Sequence, residues 1–426
     1  MARLFLSATA LLLAKHALGF GSPKKAAITA SSRGSYASYN KVRLWNEAPF
    51  QKKVNGDSIN VLESINGDVK KPSLTPTTFK DTDENPDPST EQLRKTNEQL
   101  TKPPAFPLVL WRFTRPHTLI GSAIAIPSIF LLASPTYASF FTKQSLAALM
   151  YAAVPSLLMN LYITGLNQIT DVEIDKINKP ELVIAKGVLK KSTAIGVVCT
   201  ALAISLAMSV VHPVFSTSGL RVALWGSFIL GTMYSLPPFR MKRHPLLAAF
   251  CIVAVRGTII NAGFYSHALT AAFGAAGAAV NMAGTGVLQC LMNDWKCWSS
   301  SLFFGIFGIV IALMKDVPDA VGDRIFNIRS FTVRVGQKRV FGMMKNLLTL
   351  LFGVVGATLV QRAMAASTVV DSVRRGFVGI GCLIAGLSTI YEAQDVNAED
   401  SGEVYKYYMH LWKLFYLSYL ALPFVK

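Results

Sequence analysis

Long apolar segments recur along the chain after about residue 117, and short polar or basic stretches separate them. A helix needs about 20 such residues to cross the hydrocarbon core of a bilayer. The segments are apolar throughout and lack the alternation of barrel strands. The pattern therefore predicts an all-α, polytopic transmembrane helix bundle with about nine spans. We place these spans at residues 118–139, 144–166, 193–212, 219–237, 246–267, 299–314, 344–361, 375–391 and 408–425.

The composition agrees with a membrane protein, because 51% of the 426 residues are hydrophobic and only 15% are charged. The formal net charge of +18 has two compatible explanations. Basic residues collect on the inner side of membrane proteins, and they also attract anionic substrates. We expect both to apply, and we infer no nucleic-acid partner and no protein partner. The five cysteines are scattered through apolar stretches, which indicates packing rather than a zinc site or disulfides.

The residues before the first predicted span have the composition of targeting and linker segments. Residues 1–19 carry an early arginine and an apolar core, which is typical of a signal peptide. Residues 20–46 are basic, rich in serine and free of acids, like a transit peptide. Residues 47–105 are polar and predict a disordered linker before a transmembrane domain at 106–426.

A signal peptide followed by a transit peptide resembles the bipartite presequence of proteins sent to plastids that are surrounded by extra membranes. The predicted location is therefore a plastid (chloroplast) membrane, which the chain crosses several times. An ordinary secretory or mitochondrial leader is the alternative.

Acidic residues are rare after residue 105 and are concentrated in two places. Of the 14 Asp and Glu residues from position 106 onwards, six lie in two short segments, which we name the first window (167–175) and the second window (316–323). Carboxylates beside apolar spans are costly to keep ionised, so such residues usually serve a function. Several close carboxylates suit a divalent cation, above all Mg2+, which also takes phosphate oxygens as ligands.

Helical spacing gives the two windows matching geometry, because residues four apart lie on one face of a helix. The residues grouped in this way are Asn167, Asp171 and Asp175 in the first window and Asp319 and Asp323, with Asp316, in the second. A solvated helix end with capping aspartates would explain one window alone. Two matching windows beside basic residues instead predict a metal–diphosphate site. The basic residues are Lys176, Lys179, Lys186, Lys315, Arg324, Arg329 and Arg334.

The windows and several further motifs resemble those of the intramembrane prenyltransferases of the UbiA superfamily, and more narrowly the plastid homogentisate prenyltransferases. The resemblance covers residues 106–426. Its motifs are Trp-Arg-Phe-Thr-Arg-Pro-His-Thr at 111–118, Gly-Leu-Asn-Gln at 165–168, Asn-Lys-Pro at 178–180, Tyr-Ser-Leu-Pro-Pro-Phe-Arg-Met-Lys-Arg at 234–243, Val-Arg-Gly at 255–257 with Asn261, Lys-Asp-Val-Pro-Asp at 315–319 with Gly322 and Asp323, and Trp-Lys-Leu-Phe-Tyr at 412–416. Residues 234–243, Val-Arg-Gly and the tail favour the homogentisate solanesyltransferase branch. Residues 181–187 depart from the family pattern.

The resemblance implies a UbiA-type prenyltransferase fold and a Mg2+-dependent reaction. A polyprenyl diphosphate, for which solanesyl is our first expectation, would prenylate homogentisate with loss of diphosphate and CO2. The product would be a 2-methyl-6-prenyl-benzoquinol for plastoquinone synthesis, and membrane lipid would surround the prenyl tail. We assign as metal ligands Asp171, Asp175, Asp316, Asp319 and Asp323, with Asn167 in support. We assign to substrate binding Lys179, Arg240, Lys242, Arg256, Lys315 and Arg329, and of these we favour Lys179, Lys242 and Arg329 for the diphosphate.

Two further residues have both a functional and an ordinary interpretation. Arg256 lies within the fifth predicted span, so it either binds the carboxylate of homogentisate or is a snorkelling residue near a helix end. Tyr234 either lines the allylic carbon by cation–π attraction or only packs.

Other functions stay open at this point. A homogentisate phytyl- or geranylgeranyltransferase of tocopherol synthesis would share the windows, and so would a UbiA enzyme acting on chlorophyllide, haem or 4-hydroxybenzoate. A cation or phosphate-ester transporter also carries carboxylates inside a bundle. The odd span count, the lack of inverted repeats and the placement of both windows on one face weigh against transport.

Residues 273–296 look like an insertion relative to the family pattern. Whether this segment crosses the membrane determines whether the two windows lie on the same side. The segment is apolar enough to mimic a span. A full crossing there would put the windows on opposite faces, where they could not share a diphosphate. We therefore predict a re-entrant or lumenal loop at 273–296 and both windows on the stromal side.

Overall fold

The computed structural model describes residues 104–274, 286–326, 328 and 330–426. The predicted signal peptide, transit-peptide-like segment and linker lie outside these residues, apart from positions 104 and 105 of the linker. Those three assignments stay predictions.

Helices make up nearly all of the described residues, none of which lies in a strand. The helices before residue 240 are α1 (Phe106–Phe113), α2 (Pro116–Ala133), α3 (Tyr137–Phe140), α4 (Lys143–Thr170), α5 (Val172–Asn178), α6 (Lys191–Val211) and α7 (Ser218–Ser235). Those after residue 240 are α8 (Pro245–Ile252), α9 (Ile260–His267), α10 (Val287–Asn293), α11 (Trp295–Lys315), α12 (Ala320–Ile325), α13 (Phe331–Val335), α14 (Gln337–Met364), α15 (Val369–Tyr391) and α16 (Ser401–Ala421). Short 3-10 helices lie at Met241–Arg243 and Leu422–Val425, and π-helical segments at Val253–Ile259 and Ala268–Ala272.

Seven helical stretches in the described part of the chain are long and apolar enough to cross a membrane. They are α2, α4, α6, the continuous stretch Pro245–Ala272, α11, α14 and α15. The other two predicted spans are also helical, as α7 and α16, but neither helix is among these seven. The prediction of an all-α bundle with many spans is confirmed, and nine is an approximate count.

Helix α16 closes the bundle with an aromatic face. The Tyr419 ring stacks on Phe304 of α11 with ring centroids 3.6 Å apart, and Phe415 meets both rings edge-on. The hydroxyl of Tyr416 donates to the carbonyl oxygen of His117 on α2 at 2.7 Å. Helix α16 therefore connects α2 with α11, which are distant in sequence.

Glycine allows a second close approach, between the π-helical segment Val253–Ile259 and α11. A Cβ atom on Gly257 would lie 2.8 Å from the Cα atom of Gly305. Small residues of this kind let membrane helices pack backbone against backbone. The approach positions Arg256, the neighbour of Gly257, inside the bundle.

The described part of segment 273–296 does not cross the membrane. Its helix α10 has seven residues, a rise of about 10 Å against the ~30 Å of a bilayer core. Asp294 then caps α11 by accepting from the Lys296 N–H at 3.0 Å, and it accepts a second bond from the Tyr265 hydroxyl at 2.6 Å. This part of the segment therefore packs on α9 and α11, and the lumenal placement stays a prediction.

Candidate active site

Each aspartate window lies where a long helix ends and a short one begins. Helix α4 ends at Thr170, and α5 follows after Asp171, whose carbonyl oxygen accepts from the Asp175 N–H at 2.8 Å. In the second window Asp323 N–H donates to the Asp319 carbonyl oxygen at 3.0 Å. The spacing of four residues expected from the sequence is therefore present in both windows, despite the helix breaks.

The structure brings the two windows into contact. Lys179, four residues after the first window, forms an ion pair with Asp319 of the second. The Gly322 N–H donates to the Oδ1 atom of Asn178 at 3.0 Å. A Cβ atom on Gly322 would lie only 2.0 Å from that oxygen, so the contact requires glycine. Both windows therefore form one site on one side of the bundle.

Asp171 is the centre of the first window. Its Oδ1 atom accepts from Arg240 at 3.0 Å, and its Oδ2 atom accepts from Lys242 at 2.5 Å. The Nδ2 atom of Asn167 donates to Oδ2 at 3.3 Å. The loop after α7 thus delivers two cationic groups to a carboxylate at the end of α4.

Burial among like charges disfavours the ionised form of Asp175. Burial raises the pKa of Asp175 to about 6, against the opposing effect of Lys179 and Arg115. The carboxylates of Asp171 and Asp319 also raise this pKa. The side chain is only 7% exposed, so water gives it little help.

The second window shows the same crowding. Burial raises the pKa of Asp323 to about 7, the hydrogen bond with Ser330 opposes this, and Asp316 and Asp319 reinforce it. Burial also raises the pKa of Asp316, with Lys315 opposing and Asp319 reinforcing. A cation placed beside such buried, crowded carboxylates would stabilise their ionised form.

Basic side chains at the site are equally constrained. Burial lowers the pKa of Lys242 to about 8, although Asp171 acts in the opposite direction. Lys315 lies at the end of α11, 3.9 Å from Asp316, and it interacts electrostatically with Tyr234 on the last turn of α7. The site therefore holds closely packed groups of both signs.

The donor chemistry of the two windows fits a hard divalent cation, since every candidate ligand is a carboxylate oxygen. The five predicted ligands do not converge on one point, because several of them pair with basic side chains instead. In the described part of the chain no three His, Cys, Asp or Glu side chains are arranged to hold an ion. Binding a cation would require the aspartates to exchange Lys179, Arg240 and Lys242 for the metal.

An internal cavity of about 140 Å³ lies deeper in the bundle than the windows. Asn160 and Thr164 of α4 line it, about two turns and one turn before Asn167. Arg256 and Tyr419 line it from other helices. A cavity about one helical turn from the first window, with both polar and apolar side chains in its walls, can hold a ligand that has polar and apolar parts.

Most of the predicted site residues meet at the windows. Arg256 instead lies in the deeper cavity, and Arg329 is outside the described residues. A second cavity of about 260 Å³ is open to the surface beside Asp171 and is lined by Lys191, Arg240 and Arg243.

The sequence alone did not single out several polar residues near the site, because their roles depend on hydrogen-bond partners that only the structure shows. The Asn160 Nδ2 atom donates to the Ser122 hydroxyl at 3.1 Å, and Thr118 donates to the Oδ1 atom of Asn160 at 3.2 Å. Asn178 fixes Gly322, as described above. For Asn160 the only signal in the sequence was a polar residue within an apolar span, which marks a site without naming its partner, whereas Thr118 and Asn178 belong to motifs quoted above.

Comparison with known proteins agrees with this architecture. The profile of the UbiA prenyltransferase family matches residues 118–414. The Arabidopsis thaliana homogentisate phytyltransferase 1, chloroplastic, is 38% identical over 321 residues, which cover 74% of this chain and 75% of that protein. The Hordeum vulgare homogentisate geranylgeranyltransferase is 36% identical, with coverage of 74% and 72%. A homogentisate phytyltransferase from Synechocystis is 35% identical, with coverage of 74% and 94%.

Solved structures give weaker matches. The structure of a UbiA homologue from Archaeoglobus fulgidus bound to DMAPP and Mg2+ covers 74% of this chain and 98% of that chain, with a TM-score of 0.48 and 14% identity.

The fold defines a multi-span helical membrane protein in which the two aspartate windows lie close together. The family match makes this assignment specific. The chain belongs to the UbiA prenyltransferase family, and it is a prenyltransferase.

Proposed function

We propose that this protein transfers a prenyl group from a prenyl diphosphate to homogentisate. The observation that carries the proposal is the contact of the two aspartate windows beside an internal cavity that Arg256 lines. The windows suit a metal–diphosphate head group, and the cavity suits the acceptor. The names of three relatives, each at least 35% identical, support homogentisate as the acceptor.

For the donor we propose phytyl or geranylgeranyl diphosphate. The relatives named above act, by their names, as phytyl- and geranylgeranyltransferases. The motifs at 234–243, 255–257 and 412–416 instead favour solanesyl diphosphate, which stays a prediction to be tested against the other two. Phytyl or geranylgeranyl diphosphate would lead to precursors of the tocopherol type, and solanesyl diphosphate would lead to a plastoquinone precursor.

In the reaction, an aromatic carbon forms a bond to the allylic carbon while the carbon–oxygen bond to diphosphate breaks, and the same ring carbon then loses its proton to restore aromaticity. The acetate side chain loses CO2 and gains a proton to become a methyl group. Mg2+ held by Asp171, Asp175, Asp316, Asp319 and Asp323 would supply positive charge to the departing diphosphate. Lys179, Arg240, Lys242 and Lys315 would neutralise its remaining charge, and we assign Arg329 the same role.

The cavity would protect the reacting carbon from water. Its walls are helices with many apolar side chains, which delay quenching of an allylic cation. We propose that Tyr234 lines the allylic carbon and that Arg256 binds the carboxylate of homogentisate.

We also propose that the protein is located in a plastid membrane. Two of the plant relatives carry the designation chloroplastic, and the helices described above are membrane spans. The bipartite presequence at residues 1–46 lies outside the described residues and is a prediction that fits this location.

The test is a competition assay with purified protein, Mg2+, and phytyl, geranylgeranyl and solanesyl diphosphates at equal concentration. Homogentisate should be prenylated with release of labelled CO2, and phytyl or geranylgeranyl should be preferred. A preference for solanesyl would reverse the donor assignment alone. Prenylation of 4-hydroxybenzoate but not homogentisate would overturn the acceptor, and diphosphate transport into vesicles without any prenylated product would overturn the function.

A further inference from the structure

A π-helical segment interrupts the membrane helix that carries Arg256. Residues Val253–Ile259 adopt this geometry, and the Ile260 N–H bonds to the carbonyl oxygen of Val255, five residues earlier. Single π-helical turns inside α-helices are frequent at functional sites, where the shift in backbone register redirects a side chain. Arg256 lies at the centre of this segment.

The side chain of Asn261 is bonded to the π-helical backbone. Its Nδ2 atom donates to the carbonyl oxygen of Arg256 at 2.6 Å and to that of Gly257 at 3.3 Å. Its Oδ1 atom accepts from the Tyr419 hydroxyl at 3.3 Å. Asn261 and Tyr419 are each only 1% exposed. The whole amide of Asn261 is therefore used to fix the backbone of Arg256 against α16.

Helix α16 also holds the side chain of Arg256. The guanidinium carbon lies 5.6 Å from the ring centroids of both Trp412 and Phe415. None of the ion pairs in the described part of the chain includes Arg256. A cation held by aromatic faces beside a cavity, without an acidic partner, is suited to an anionic ligand.

We propose that Asn261 is a positioning residue for the aromatic acceptor, because it fixes the π-helical turn so that Arg256 faces the acceptor's carboxylate. This inference rests on the proposed function, since it takes the anion to be the carboxylate of homogentisate. A purely structural Asn261 would satisfy two buried carbonyl groups and have no effect on which acceptor binds. Only the positioning role predicts that replacing Asn261 lowers the protein's selectivity for an acceptor with a carboxylate.

Selectivity can be measured by calorimetric binding of homogentisate and of its uncharged methyl ester to the purified protein. Wild type should bind homogentisate at least about tenfold more tightly than the ester, as a charge-assisted hydrogen bond implies. Asn261→Ala should lose about tenfold in homogentisate affinity and leave ester affinity unchanged. Tyr419→Phe should shift selectivity in the same direction by less, because it removes one bond and keeps the ring stack on Phe304.

Thr389→Val is the matched control, because it removes a partly buried hydrogen bond of 2.6 Å to Thr349, between α14 and α15. It should lower thermal stability without changing selectivity. Wild-type selectivity in folded Asn261→Ala would overturn the inference, and if that variant fails to fold, wild-type selectivity in Tyr419→Phe would do the same. A wild type that binds both compounds equally would overturn the proposed acceptor site instead.

Discussion

Asp171 and Asp323 are the residues on which the metal proposal depends most. Each is polar, poorly exposed and surrounded by charge of both signs. We expect Asp171→Ala and Asp323→Ala to reduce turnover by about a hundredfold or more, since each removes a ligand that acts on the departing group. Prenyl transfer by purified variants measures this, with expression and membrane insertion compared by immunoblot.

Glu173→Gln provides the control for these aspartates. Glu173 lies between Asp171 and Asp175 in the first window, but it is exposed and pairs with the exposed Lys176 at 3.0 Å. Such surface pairs contribute about 0–1 kcal/mol. The variant should retain nearly full activity, and wild-type activity in either aspartate variant would contradict the ligand assignment.

Removal of the metal tests the five aspartates together. EDTA should stop prenyl transfer, because it removes the Mg2+ that the carboxylates would hold against the diphosphate. Added Mg2+ should restore the reaction. Activity is measured before chelation, after chelation and after Mg2+ is added back. Undiminished turnover in excess EDTA would show that the windows work without a divalent cation.

The aspartates could be identified from sequence because acids are so rare in the membrane domain. Asn261 could not be assigned in the same way, although it lies beside a family motif. Its partners are two carbonyl groups in a π-helical segment and a tyrosine on α16. Nothing in the local pattern of α9 encodes that register. Polar residues inside spans thus mark a site, but only the tertiary structure shows what they bind.

At the scale of elements, the contact between α5 and α12 depends on Gly322. Gly322→Ala should separate the two windows, since the added methyl group collides with Asn178, and overpacking of this kind costs about 1–3 kcal/mol. Thermal stability and turnover should both fall. Adding Asn178→Ala removes the colliding atoms, so the double variant should regain part of the lost stability.

Gly342→Ala is the matched glycine control. Gly342 lies in α14, and a Cβ atom added to it would meet no other atom within 4 Å. Alanine is favoured over glycine inside a helix, so stability should stay equal or rise slightly. Equal effects of the two glycine variants would exclude a specific role for the contact between windows.

Element boundaries show where sequence patterns are weakest. The predicted span 344–361 corresponds to the longer helix Gln337–Met364, and 408–425 corresponds to Ser401–Ala421. Hydropathy locates the apolar centre of a helix, whereas capping and tertiary contacts set its ends. The predicted span 299–314 ends beside the break after Lys315, but the apolar pattern does not predict the break at Asp171 between α4 and α5.

At the scale of the whole molecule, the contact between the two windows requires an even number of membrane crossings between them. Lys186→Cys and Lys338→Cys, placed in a chain without other cysteines, should therefore be labelled from the same membrane face by an impermeant maleimide. Val214→Cys, in the loop at the other end of α6, should be labelled from the opposite face. Labelling of Lys186→Cys and Lys338→Cys from opposite faces would contradict the shared site.

The pairing of Lys179 with Asp319 and of Arg240 and Lys242 with Asp171 has a thermodynamic consequence. A metal arriving alone would leave the basic groups without partners, and a diphosphate arriving alone would leave the carboxylates without theirs. Binding of the two should therefore be cooperative, with each raising the affinity for the other about tenfold or more in paired titrations. The resting enzyme would then reject stray cations and stray phosphate alike, and would recognise them only as a complex.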